Sequence, residues 1–206
     1  VTYLSLKQAS EVLSTARAKG HMEYARWAIA LRWGMRQGEV LGLRWSDIDL
    51  STGRIDVRQA LQRQTGAGLV FVKPKSRAGE RSFIADSDTI EALVNWRHEQ
   101  VERRLAAPEW SYPDLVFTTD RGTPIDPRND YRLWRVLLDE ADLPRFRIHD
   151  CRHTAATFML ESGISERAVM EILGHSQISL TLNTYAHVTK KSLEDAALRV
   201  GSLYGS

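Results

Sequence analysis

The spacing of apolar residues changes twice along this chain, and the change limits the folds that it can adopt. Before Trp45, apolar side chains recur every three or four positions, as in amphipathic helices. Between Asp47 and Ala85 the spacing becomes alternating, which is typical of strands, and from Asp86 onward the helical spacing returns. The chain is therefore predicted to have an α+β fold, mainly α, with a small three-stranded antiparallel sheet packed among helices.

Turn signals delimit these segments. The predicted strands contain Ile55, Val57 and Leu61, then Leu69–Val72, then Ser82–Ala85. The predicted helices are Ser5–Ala18, His21–Trp33, a long helix from Asp86 or Ser87 to about Ala107, one from Pro127 to about Ala141, and Glu166–Leu173. Gly34 is expected to end the second helix, so that Arg36 lies at a junction between packed elements. On the long helix we expect Ile90, Leu93, Val94, Val101 and Leu105 to face the core.

Composition bounds the class of protein without fixing its function. The 206 residues are 43% hydrophobic and 26% charged, as in an ordinary globular protein, and we expect a single domain. No apolar run approaches the ~20 residues that span a bilayer, and one cysteine, Cys151, fits a reducing compartment. The net charge of +2 permits a nucleic-acid partner but does not require one.

Metal binding is not expected from the sequence. His149 and His153 have the i,i+4 spacing of a zinc-binding helix, but no further ligand pattern accompanies them. Asp47 and Asp49 are interpreted as turn residues because no other carboxylates cluster with them.

Four polar residues near the C-terminal end of the chain suggest a site for an anionic group. His149 and Arg152 are three residues apart and would project from neighbouring positions of one helix, at the rim of the core. His175 and Tyr185 are ten residues apart, which is ~15 Å in a straight helix. A break at Gly174–Ser176 is therefore required if both side chains are to reach one ligand.

These residues resemble the signature of the tyrosine recombinases, or phage-type integrases, specifically their C-terminal catalytic domain. The matching pieces are Gly34-Met35-Arg36-Gln37-Gly38-Glu39, His149-x-x-Arg152, Leu173-Gly174-His175, Tyr185, and the hairpin motif Pro74-Lys75-Ser76-Arg77-Ala78-Gly79-Glu80-Arg81. Each piece alone is weakly specific, but their order and combination are distinctive, and together they cover nearly the whole chain.

The resemblance implies a role for each matched residue. Arg36 and Arg152 would bind the phosphate oxygens, with His175 adding a hydrogen bond and Glu39 orienting cationic neighbours. Tyr185 would be the nucleophile and His149 its base. Spacing alone does not separate Lys73 from Lys75 as the proton donor; the resemblance selects Lys75, and it leaves Lys73 and Arg77 as expected DNA-binding residues.

The implied function is site-specific DNA recombination through a 3′-phosphotyrosyl intermediate, without metal or other cofactor. Expected partners are double-stranded DNA attachment sites, three further copies in a tetramer that assembles on DNA from free monomers, and an accessory directionality factor, but no membrane. Such a protein would be encoded by a phage or mobile element and act in the bacterial cytoplasm. Residues 1–206 are expected to lack the family's N-terminal core-binding domain. The tail from about residue 189 has two open arrangements, docking on a neighbouring protomer or packing in cis.

Two other functions fit part of the pattern. Type IB topoisomerases use a similar tyrosine, arginine, lysine and histidine set to relax DNA. Ser165–Ser176 has a residue pattern similar to that of a helix-turn-helix, which would suit a non-catalytic DNA-binding regulator. The hypothesis of a non-catalytic regulator leaves Arg36, Lys75 and Arg152 without a role.

Overall fold

The N-terminal helices follow the turn signals of the sequence closely. In the computed structural model, which describes residues 3–74 and 80–174, helix α1 spans Leu6–Lys19, α2 spans His21–Trp33 and α3 spans Gln37–Leu41. The Ser5 hydroxyl caps α1 by accepting a hydrogen bond from the amide of Gln8 at 3.2 Å. Gly34 ends α2 in the left-handed conformation, with φ of 63°. The predicted limits of α1 and α2 are confirmed to within one residue.

The β region contains two sheets rather than one. After a short 3-10 helix at Trp45–Asp47, the strands are β1 (Ile48–Asp49), β2 (Arg54–Val57), β3 (Ala60–Gln64), β4 (Gly68–Val72) and β5 (Arg81–Ile84). The three-stranded antiparallel sheet has the order β1-β2-β5, with Ile55 opposite Phe83. Strands β3 and β4 form a separate hairpin, with Leu61 opposite Phe71.

The predicted fold class is confirmed, but the predicted pairing of its strands is wrong. Residues 55–61 are not one strand, because the chain leaves the sheet at Arg58 and Gln59 and crosses α3. The Gln59 side chain donates to the main-chain oxygen of Gly42 at 2.8 Å, on the last turn of α3. A Cβ on Gly38 would lie 2.6 Å from the oxygen of Leu61. Close contact with α3 therefore holds β3 away from the sheet.

The later helices agree with the sequence except at one surface. They are α4 (Ser87–Ala106), α5 (Pro127–Glu140), α6 (Ile148–Glu161) and α7 (Glu166–Leu173). On α4 the buried face ends at Gln100, so the expectation that Val101 and Leu105 face the core is wrong; they are 49% and 82% exposed. Gln100 is the last buried residue of α4 and donates to the main-chain oxygen of Val116, whereas the apolar spacing of the sequence continues beyond it.

Helix α2 lies at the centre of the molecule. Every residue from Tyr24 to Leu31 is buried, including Arg26, whose guanidinium pairs with Asp130 on α5. One face of α2 packs with the three-stranded sheet and α4, another with α1 and α5, and α6 packs along it as well. The end of α2 is thus fixed from several sides, and with it the position of Gly34–Arg36. Within the described ranges, none of the helices is long and apolar enough to traverse a membrane.

Candidate active site

The structure describes five of the nine residues singled out in the sequence. Arg36, Glu39, Lys73, His149 and Arg152 are described, and four of them gather where α2, α3, α6 and α7 meet. The other four candidates, Lys75, Arg77, His175 and Tyr185, lie outside the described residues, as does the break predicted after Gly174.

Gly34 makes the junction of these helices possible. A Cβ at this position would lie 2.5 Å from Leu173 Cδ2 and 3.2 Å from Ala155 Cβ, so α7 and α6 both approach its backbone. Its φ of 63° is also unfavourable for other residues. The Gly34 carbonyl accepts a hydrogen bond from Arg152 Nη1 at 2.7 Å. The turn that ends α2 is therefore also a docking point for the arginine of α6.

Arg36 and Glu39 form an ion pair at the start of α3. Arg36 Nη1 donates to Glu39 Oε1 at 2.8 Å, and the Arg36 amide donates to Oε2 at 2.8 Å. Burial alone would raise the pKa of Glu39, but the hydrogen bonds and charges of Arg81 and Arg36 outweigh it and lower the pKa. Glu39 is therefore ionised and buried, while the Arg36 side chain remains 41% exposed and accessible to a ligand.

Arg152 is buried rather than at the rim of the core as the sequence suggested. Its Nη1 and Nη2 donate to the main-chain oxygens of Gly34 and Leu173. Its Nε is also buried, and it has no hydrogen-bond partner among the described residues. Burial, followed by the charge of Arg36, lowers the pKa of Arg152 to about 9. An unpartnered buried donor on a cation is costly, and an anion bound here would offset that cost.

His149 stands on the first turn of α6, next to this cationic group. Its ring lies 4.9 Å from that of His153, in a perpendicular arrangement. Partial desolvation, then the charges of His153, Arg152 and Arg36, lowers the pKa of His149. The imidazole is therefore neutral near pH 7 and able to accept a proton. Across residues 3–74 and 80–174, no group of three or more histidine, cysteine or acidic residues is placed to hold a metal ion.

Lys73 lines a groove on the surface. It is exposed beyond the end of β4, in a groove that β2 and β5 form with the β3–β4 hairpin. Arg44 and Arg58 line the same groove. Arg81, which pairs with Glu39, also lines this groove.

Sequence reasoning missed the role of Arg81. It had appeared only as the last letter of a hairpin motif, but its guanidinium is buried against Glu39, 42 residues earlier, and against the oxygen of Ile172, 91 residues later. No local pattern could have found it, because both partners are distant in the sequence.

Three exposed arginines form a positively charged row along α5. Arg128, Arg132 and Arg135 are exposed and follow one another at helical spacing on one face. None of the three guanidiniums forms an ion pair with another described residue. The first turn of α5 lies next to α3, since Gln37 Nε2 donates to the oxygen of Pro127 at 2.9 Å. The row therefore begins close to the residue that follows Arg36.

Comparisons with known proteins agree on one family. The sequence profile of the phage integrase family matches residues 2–192. An integrase from Saccharopolyspora erythraea is 31% identical over 87% of this chain and 53% of its own length. A XerC-like tyrosine recombinase from Caldanaerobacter subterraneus is 33% identical over 90% of this chain and 51% of its own length. The chain thus spans about half the length of these relatives.

Solved structures give the same result. The structure of the Tn1549 transposon integrase in complex with transposon right end DNA aligns with a TM-score of 0.80 at 27% identity, over 97% of this chain and 66% of that chain. The crystal structure of XerA recombinase aligns with a TM-score of 0.71 at 25% identity, over 100% of this chain and 66% of that chain.

Proposed function

This chain belongs to the phage integrase family, the tyrosine recombinases, and from that premise we propose that it is the catalytic part of a site-specific DNA recombinase. In this proposal Tyr185 attacks a DNA phosphodiester and forms a 3′-phosphotyrosyl bond. The catalytic set is Arg36, Lys75, His149, Arg152, His175 and Tyr185, with Glu39 in support.

The strongest support for the proposal comes from the pair Arg36 and Arg152. The guanidinium of Arg36, the N-cap of α3, is close enough to that of Arg152 on α6 for its charge to lower the pKa of Arg152. Arg152 also keeps one buried N–H donor without a described partner. Like charges held together at such a cost fit a site built for an anion, and planar guanidiniums match the oxygens of a phosphate. Charge that builds on those oxygens during attack would be stabilised there without reorganisation.

The chemistry follows from these charges. A tyrosine hydroxyl has a pKa near 10 in water, so Tyr185 needs a base, and His149 is neutral enough to take its proton. The new bond joins the Tyr185 oxygen to phosphorus, and the bond from phosphorus to the 5′-oxygen breaks. Lys75 gives that leaving oxygen its proton.

The same site would also rejoin the strand. The phosphotyrosyl ester retains the energy of the broken phosphodiester, so the 5′-hydroxyl of a second strand can attack it and release Tyr185. No nucleotide and no metal ion enters either step in this scheme. Strand exchange through a Holliday junction would need this step in each of four protomers.

Double-stranded DNA is the proposed partner. The row formed by Arg128, Arg132 and Arg135 supports this, because unpaired exposed arginines favour the phosphate backbone. Lys73 and Arg77 are proposed to add contacts from the hairpin side. The integrase of Tn1549, which shares this fold, is described in complex with transposon DNA.

We place the reaction in the cytoplasm of a bacterial host, on an attachment site of a phage or mobile element. The protein would be monomeric when free and tetrameric on DNA, and an accessory factor would set the direction of the reaction. The tail from about residue 189 would dock on a neighbouring protomer. Deleting the residues after Lys191 tests the last point: a tetramer that assembles on DNA unchanged would favour packing in cis.

A covalent trapping experiment tests the proposed function. The complete gene product that contains residues 1–206 is incubated with a nicked suicide substrate carrying its attachment site. We expect a protein–DNA adduct that survives denaturant with the wild type and none with Tyr185→Phe. No adduct from the wild type, or equal adducts from both proteins, would refute the proposal.

The same preparation separates the two alternatives. Relaxation of a supercoiled plasmid that lacks the attachment site would favour a type IB topoisomerase. Specific binding of the attachment site with no adduct from any variant would favour a non-catalytic regulator.

A further inference from the structure

Arg81 occupies an unusual position for a charged residue at the start of an edge strand. It is the first residue of β5 and follows Lys75 by six positions in the sequence. Its side chain is only 4% exposed, and the carboxylate that it faces is buried as well. Long cationic side chains are almost never this buried unless they are paired.

Each nitrogen of the Arg81 guanidinium donates a hydrogen bond. Nη1 and Nη2 donate to the two oxygens of Glu39 at 3.0 and 2.8 Å, in a bidentate arrangement. Nε donates to the main-chain oxygen of Ile172 at 2.6 Å. One side chain of β5 therefore fixes both α3 and the last turn of α7.

The first of these contacts determines where Arg36 points. Glu39 Oε1 is shared, since it accepts from both Arg81 Nη1 and Arg36 Nη1. Arg36 is half-exposed and would otherwise sample many rotamers, and its main described anchor is this carboxylate. Arg81 holds the carboxylate in one orientation, and so limits the orientation of Arg36.

The second contact supports Arg152. Arg81 binds the oxygen of Ile172, and Arg152 binds the oxygen of the next residue, Leu173. Two guanidiniums thus bind successive carbonyls at the C-terminal end of α7, where the helix dipole favours positive charge. The chain continues from Gly174 to His175, so this end of α7 also sets the point from which His175 departs.

We propose that Arg81 is a positioning residue for strand cleavage, which fixes Glu39 and the end of α7 so that Arg36 and Arg152 bind the same phosphate. It is not assigned a contact with the phosphate, because its guanidinium faces Glu39 and the main-chain oxygen of Ile172. This role rests on the proposed recombinase function. Through a single side chain it also links β5, the strand that follows Lys75 in the sequence, to both phosphate-binding arginines.

The test compares cleavage with DNA binding in Arg81→Met and Arg81→Lys. Single-turnover formation of the covalent adduct is measured with saturating protein, and affinity for the attachment site is measured separately. We expect adduct formation to fall about 100-fold in Arg81→Met, because a misplacement of the reacting groups by about 1 Å can have an effect of that size. We expect a smaller loss in Arg81→Lys, which keeps the charge but not the bidentate geometry, and affinity for DNA close to that of the wild type in both.

Arg26→Met is the matched control. Arg26 also forms a buried bidentate ion pair, with Asp130 at 3.0 and 2.7 Å, but it lies in the core between α2 and α5. Its loss should lower thermal stability comparably, while adduct formation by the folded protein changes little. Equal effects of Arg26→Met and Arg81→Met on cleavage by folded protein would overturn the proposal.

A double-mutant cycle with Arg36→Lys gives a readout that a merely structural role would not produce. If Arg81 acts through Arg36, the double variant should lose little more activity than the worse single variant. Independent residues would give losses that multiply to within about twofold, and that result would overturn the role.

The remaining outcomes distinguish a folding defect, a wrong assignment of function and a wrong role for Arg81. If Arg81→Met does not fold, the folded Arg81→Lys protein carries the same cycle, and a wild-type cleavage rate in it refutes the proposal. Absence of an adduct with the wild type refutes the recombinase function, and the role of Arg81 falls with it. An active wild type with an equally active Arg81→Met refutes only the role of Arg81.

Discussion

Arg152 donates a hydrogen bond at 2.7 Å to the main-chain oxygen of Gly34, which precedes it by 118 residues. Its other terminal nitrogen donates to the oxygen of Leu173. The arginine proposed to bind the phosphate therefore also joins the ends of α2 and α7 to α6. Changes at this junction are expected to affect folding and cleavage together.

Gly34→Ala should be strongly destabilising. The left-handed φ of 63° and the 2.5 Å approach of Leu173 Cδ2 both oppose a side chain. We expect the free energy of unfolding to fall by about 3 kcal/mol, with a loss of cleavage by the remaining folded protein. Urea unfolding and single-turnover cleavage measure the two effects.

Gly66→Ala provides the control for backbone strain. Gly66 has a φ of 78° in the β3–β4 turn, but nothing lies within 4 Å of its Cβ position. The substitution should lower the free energy of unfolding by only about 1–2 kcal/mol and leave cleavage unchanged. Equal losses of stability for the two variants would show that crowding at Gly34 is unimportant.

The pH dependence of cleavage should report on His149. Desolvation and the charges of His153, Arg152 and Arg36 lower its pKa below 6.5. A protonated imidazole cannot accept the Tyr185 proton, so the rate should fall as pH decreases through that lowered pKa. His153→Gln removes a neighbouring group that is positive when protonated, which should raise the pKa of His149 and move the acid limb to higher pH. An acid limb that stays in place would exclude His149 as the base.

The arginine row on α5 should contribute to DNA affinity without affecting the chemical step. Arg132→Ala and Arg135→Ala should weaken binding to all sequences, and each should reduce the slope of log K against log salt by about 1. Arg103→Ala is the control, because Arg103 on α4 is already paired with Glu99 and Asp120. A salt dependence that is unchanged in all three variants would remove α5 from the DNA interface.

Gly38→Ala should reverse the usual effect of alanine in a helix. Helix propensity alone favours alanine over glycine by about 1 kcal/mol. A Cβ on Gly38, however, would lie 2.6 Å from the oxygen of Leu61, where β3 crosses α3. We expect a net loss of stability and, because Glu39 lies on the same short helix and Arg36 is its N-cap, slower cleavage. Thermal unfolding that shows a gain in stability would contradict this packing.

Local signals in the sequence were sufficient for the helices and insufficient for the contacts between elements. Gly34 and Pro127 end and begin helices through their own backbone preferences, so their effects can be read from sequence. An alternating pattern identifies a strand but not its partner, and so the separate β3–β4 hairpin was not anticipated. Arg81 shows the same limit within the site: its burial depends on Glu39 and Ile172, which only the folded chain brings together.

The shared carboxylate of Glu39 has a thermodynamic consequence. Arg36, Arg81 and Arg152 bring three positive charges to one junction, and Glu39 supplies one negative charge in their contacts, which leaves an excess of two. The ligand-free site is therefore under electrostatic self-repulsion, and its substrate would act as the missing counter-ion. A ligand that binds only the folded state raises the free energy of unfolding by an amount that grows with the logarithm of its concentration divided by its Kd. Binding of the scissile phosphate should accordingly raise the melting temperature of the protein, because the phosphate supplies the negative charge that the ligand-free site lacks.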